Sequence, residues 1–86
     1  MKTLHIIISG LVQGVGFRSF VKRNAERMGI NGWVRNTDDD QLEIVVQGRD
    51  VDRFVELCRK GPGTARIDDI EIEEIEEEKM NGFGMR

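Results

Sequence analysis

The spacing of apolar residues predicts an α+β fold in the order β-α-β-β-α-β: one four-stranded antiparallel sheet with two helices on one face. Three observations predict it. Several segments alternate apolar and polar residues with a period of two, which sets one strand face on a core and the other in water. Two segments instead repeat apolar residues at spacings of three and four, the stripe of an amphipathic helix. Breaks rich in glycine and aspartate separate these segments, and the break between the second and third strands is short enough for a hairpin.

Each element follows from its residues. Leu4, Ile6 and Ile8 lie on one side of a strand over residues 3–10, with His5 and Ser9 on the other. Gly10 to Gly16 is a loop. Phe17, Phe20, Val21, Ala25 and Met28 make the first helical stripe, Lys22, Arg23 and Glu26 its wet side, and Gly29 stands just past its end. Ile30 to Thr37 reads as the second strand, Asp38-Asp39-Asp40 as a turn, and Leu42, Ile44 and Val46 as the inward side of the third strand. Asp50 is an N-cap candidate for a second helix whose stripe is Val51, Phe54, Val55, Leu57 and Cys58, and Gly61-Pro62-Gly63 stops it. Ile67, Ile70 and Ile72 mark the fourth strand, and Phe83 with Met85 leaves room for a short fifth. Each helix crosses between strands, so the simplest arrangement is a ferredoxin-like split β-α-β sandwich with one face of the sheet wet.

Eighty-six residues give one domain, 1–86, with one modest core. The net charge of −3, from 13 basic and 16 acidic residues, counts against a surface built to grip nucleic acid. That charge is unevenly spread. Residues 1–37 hold six basic residues and one acid, a net of +5, whereas residues 38–86 hold seven and fifteen, a net of −8. A small anion is drawn to the first part. With one cysteine, Cys58, and one histidine, His5, neither a disulfide, a cysteine zinc cage nor a Ser-His-Asp triad can be assembled. No apolar run is longer than Ile6-Ile7-Ile8, against the roughly 20 residues that span a bilayer. No signal-peptide pattern is visible, so the expected location is cytoplasmic.

Chemistry concentrates in Gly10 to Arg18, where a strand ends, a glycine-containing loop follows and a helix begins. Gly14 and Gly16 free the backbone for dihedrals closed to other residues. Successive N–H groups can then converge on an anion, with the positive end of the helix behind them. Arg18 adds a planar charged fork matched to two phosphate oxygens. A nucleotide-binding Walker loop needs Gly-Lys-Ser or Gly-Lys-Thr, but Gly16 is followed by Phe17-Arg18; a dinucleotide fingerprint needs a third glycine where Ser19 stands.

Val12-Gln13-Gly14-Val15-Gly16-Phe17-Arg18 resembles the signature of the acylphosphatase family. Gly32-Trp33-Val34-Arg35-Asn36, followed by Gly48, resembles its second signature, and Gly61 to Ile67 resembles the loop before its last long strand. The resemblance implies hydrolysis of a small acyl phosphate to a carboxylate and inorganic phosphate, with no cofactor and no metal. It implies phosphate binding by Arg18 and the backbone of Gln13, Gly14, Val15, Gly16, Phe17 and Arg18, and a water positioned by Asn36. Phosphate or sulfate is expected to occupy the same cradle. A free-standing monomer is expected, with no nucleic-acid and no membrane partner. The alternative is a non-catalytic module for a phosphorylated metabolite such as carbamoyl phosphate. An RNA-binding module on the same scaffold ranks below both, because the outward positions of the first and third strands carry no aromatic residues.

One departure stands out. The resemblance implies glycine at the position of Asp40, and a positive backbone φ there strains aspartate. Asp38, Asp39 and Asp40 are expected to point away from the anion site at the hairpin tip. His5 is expected on the surface, Cys58 in the packing of the second helix, Trp33 half-buried on the sheet, and Arg35 on the face opposite Asn36.

Overall fold

The computed structural model describes residues 1–86 as seven elements: β1 (Lys2–Leu11), α1 (Phe17–Arg27), β2 (Asn31–Asn36), β3 (Leu42–Gly48), α2 (Val51–Lys60), β4 (Arg66–Ile75) and β5 (Phe83–Met85). The sheet order is β4-β1-β3-β2-β5. β1 pairs antiparallel with β3 and β4, and β2 antiparallel with β3. Leu4 opposite Val46 and Ile6 opposite Ile44 set the central register, so inward side chains from both strands meet on one face.

That face carries the core. Leu4, Ile6, Ile8, Val34, Leu42, Ile44 and Val46 pack against Phe17, Val21 and Ala25 of α1 and Val51, Phe54, Val55 and Cys58 of α2. α1 ends as its sequence suggests. Gly29 takes φ 69°, its N–H donates to the carbonyl of Glu26, and the N–H of Ile30 donates to that of Ala25 at 2.8 Å, which together form a Schellman motif. α2 begins at Asp50, but the Asp50 side chain caps no N–H; its backbone carbonyl instead starts the helical ladder by accepting from Phe54.

The sheet departs from the expected four antiparallel strands. It has five, and β5 lies parallel to β2, with Gly32 opposite Phe83 and Val34 opposite Met85. The cause is the stretch between β4 and β5, which passes over the face of the sheet away from the helices. Gln47 is its main anchor: its Nε2 donates to the backbone carbonyl of Glu78 at 3.0 Å and its Oε1 accepts from the N–H of Met80 at 2.7 Å. Gly82 then donates to Asn31 Oδ1 and accepts from Gly32 N–H, each at 2.9 Å, which delivers Phe83 to the free edge of β2. This crossing also means the second face is not uniformly wet. Thr3, Val45 and Gln47 face that way and are buried, and Gln47 Nε2 also donates to Thr3 Oγ1.

Candidate active site

Beyond β1 the chain enters the glycine loop. Gly14 and Gly16 take φ 72° and 78°. A methyl group at either would meet no atom within 4 Å, so glycine serves the dihedral there and not the space. Gly16 directly precedes α1, whose start has no side-chain cap. None of the seven N–H groups from Gln13 to Ser19 donates to a backbone carbonyl; the first helical bond is Phe20 N–H to Gly16 at 3.0 Å. These uncommitted donors, together with the positive end of α1, make a concave surface for a negative charge.

Gly14, Gly16, Phe17 and Arg18 line one cavity of about 120 Å³ together with Val12, Ser19, Asn36 and Met85. Arg18 is the only charged residue on its wall. The Arg18 Nη1 donates to the backbone oxygen of Arg86 at 3.4 Å, a long contact that leaves the guanidinium available. Asn36 ends β2, and its Oδ1 is buried without a protein donor. A buried acceptor left unmet costs about 1–3 kcal/mol, and because Oδ1 is closed off, Asn36 meets the cavity through the rest of its amide.

Two of the expected loop residues do not line the cavity. Gln13 turns its side chain toward the β2–β3 hairpin, where Nε2 donates to the carbonyls of Thr37 at 3.1 Å and Gln41 at 3.2 Å. It thereby ties the glycine loop to the hairpin that follows Asn36. Val15 packs against the core, and its carbonyl accepts from Thr64 Oγ1 at 2.9 Å, which braces the loop from the α2–β4 connection. Val12, Ser19 and Met85 also line the cavity, though none was among the residues expected to bind phosphate or position water. Met85 carries no motif; it arrives through the parallel pairing of β5.

The remaining candidates fall outside the site. Asp38, Asp39 and Asp40 are exposed at the hairpin tip and do not touch the cavity. Asp40 does take the positive φ, 62°, the one such non-glycine residue, and its N–H donates to the Thr37 carbonyl. His5 Nε2 donates to Glu43 Oε2 at 2.7 Å on the sheet face away from the helices, where Arg35 Nε also donates to Glu43 Oε1. The His5 hydrogen bond, with Arg35 adding to it against the opposing effect of burial, holds the Glu43 carboxyl below its ordinary range. Burial pushes the Cys58 thiol up to about 12, so it is no nucleophile. Trp33 is half-buried, with the Arg86 guanidinium 4.3 Å from its ring centroid.

A family model for acylphosphatase matches residues 4–85. Over 88 aligned positions the chain is 47% identical to an acylphosphatase of Thiobacillus denitrificans, covering 100% of this chain and 98% of that one. Its fold is similar to the crystal structure of acylphosphatase from Bacillus subtilis, with a TM-score of 0.96, 36% identity and coverage of 100% and 99% of the two chains. It is also similar to part of HypF from T. kodakarensis, with a TM-score of 0.87 and 42% identity over 100% of this chain and 12% of that one.

Proposed function

The chain belongs to the acylphosphatase family, and from that membership we propose that the cavity between the glycine loop and Asn36 hydrolyses acyl phosphates. The observation that carries this reading is one small cavity with uncommitted N–H donors and Arg18 on one wall and Asn36 on another. The phosphoryl group sits in the N–H cradle of residues 13–18 with Arg18 on its oxygens. The Asn36 amide holds a water against phosphorus. The water oxygen bonds to phosphorus, the bond from phosphorus to the acyl oxygen breaks, and its electron pair leaves with the carboxylate.

This division of labour suits the substrate. Phosphoryl transfer is accelerated chiefly by positioning and by stabilising negative charge. A carboxylate leaves without help from a strong acid, so the absence of any carboxyl or imidazole side chain on the cavity wall is no obstacle. The water proton passes to a phosphoryl oxygen, and the products are a carboxylate and inorganic phosphate.

Turnover of benzoyl phosphate in chelator-treated buffer tests the reading, with release of both benzoate and phosphate expected. Binding of benzoyl phosphate or carbamoyl phosphate with no turnover of either would overturn it in favour of a non-catalytic binding module.

A further inference from the structure

The cavity holds three apolar residues, and they differ sharply in what they offer a substrate. Val12 and Phe17 are each 1% exposed and form its floor, whereas Met85 is 47% exposed and forms part of its rim. Ser19, also exposed, lines the same cavity from the first turn of α1. In the proposed reading the N–H groups and Arg18 take the phosphoryl group. The cavity of about 120 Å³ opens to solvent, so an acyl substituent on a phosphoryl group held at its floor extends toward the rim. Met85 is the one accessible apolar side chain there, and no second cation lines the wall. The Arg86 guanidinium is stacked on Trp33.

We propose that Met85 is a specificity-determining residue: its thioether chain is the surface against which the acyl group lies, favouring apolar or aromatic acyl groups over acyl groups that carry a further negative charge. This rests on the reading of the cavity as an acyl phosphate site. Met suits the task chemically. An unbranched, polarizable side chain adapts to acyl groups of different shape and makes favourable contacts with aromatic rings. Its position is held by the backbone, because β5 pairs with β2 through Val34 and the Arg86 N–H donates to the Val34 carbonyl at 2.8 Å.

The test compares kcat/KM for benzoyl, acetyl and succinyl phosphate in the parent protein, Met85→Ala and Met85→Lys. Ratios between substrates cancel their intrinsic reactivities when variant is compared with parent. Met85→Ala is expected to lower the benzoyl-to-acetyl ratio by about 3- to 10-fold, mainly through KM, since a contact on an open rim is worth less than one in a closed pocket. Met85→Lys is expected to raise the succinyl-to-acetyl ratio by a similar factor, a change of sign that a loosened β5 cannot produce. Equal loss on all three substrates in both variants would show a structural role for Met85 and overturn the proposal while leaving the cavity's activity intact. Absence of turnover in the parent protein would instead overturn the reading of the cavity itself.

Discussion

Replacing Arg18 with alanine removes the only cation on the cavity wall. Two unit charges about 4 Å apart at an effective dielectric constant near 20 interact by about 4 kcal/mol. The transition state concentrates charge on the phosphoryl oxygens, so most of that is lost from the barrier. The expected fall in kcat/KM for benzoyl phosphate is therefore about 10³-fold. Arg18→Lys keeps the charge and loses the planar fork, and recovers about 10- to 100-fold of the deficit. Stability changes little in either variant, because the one side-chain hydrogen bond removed is the 3.4 Å contact with the Arg86 backbone oxygen. The measurements are steady-state hydrolysis, inhibition by inorganic phosphate, and the thermal midpoint of each variant. Arg18→Ala retaining more than about a tenth of the parent kcat/KM would refute the electrostatic argument, since one fixed charge beside the reacting group cannot be worth so little in a partly enclosed site.

Asn36→Ala is expected to cut turnover by about 100-fold while the thermal midpoint holds or rises, because the variant deletes a buried acceptor with no protein partner; a large drop in the midpoint would contradict this. Asp40→Gly relieves about 1 kcal/mol of left-handed strain, partly offset by the freer unfolded chain, so a midpoint rise of about 1–3 °C is expected by calorimetry with benzoyl phosphate turnover unchanged. A fall in the midpoint would contradict it. Glu43, held below its ordinary 4.5 first by the His5 hydrogen bond, contributes stability that is present above that value and lost as pH falls through its lower folded value. The midpoint difference between the parent and Glu43→Gln should therefore shrink as pH is lowered from 5 toward 3 (roughly the range of carboxylate titration); a difference independent of pH there would speak against it. Cys58, buried and with its thiol raised to about 12, should react with a disulfide reagent at pH 8 only at the rate of global opening, and immediate labelling of the native protein would show otherwise.

Much of the molecule is written locally. Alternation at Leu4, Ile6 and Ile8 defines β1, the stripes through Phe17–Ala25 and Val51–Cys58 define the helices, and Gly29 ends α1 with the left-handed turn that its position suggests. These features depend on neighbours within a few residues, so their period is visible along the chain. The glycine loop, Arg18 and Asn36 were legible for the same reason, and the cavity brings Gly14, Gly16, Phe17, Arg18 and Asn36 together. Asp50 illustrates the limit: it occupies the expected capping position, yet its side chain makes no capping bond.

Other features depended on partners far along the chain. The period of Phe83 and Met85 marks a strand but not its neighbour, and the choice of β2 comes from Gln47 and Asn31, which hold residues 78–82 across the second face of the sheet. That crossing makes the sheet mixed and five-stranded, buries Thr3 and Gln47, and carries Met85 into the cavity. Gln13 likewise shows its glycine-loop position in sequence, whereas its side-chain bonds to Thr37 and Gln41 exist only once the hairpin folds beside the loop. Local pattern along the chain was enough for the strands and helices, the glycine loop and the family. The tertiary structure decided which edge received β5 and which side chains complete the cavity wall, because those outcomes rest on hydrogen bonds between residues 31 to 51 positions apart.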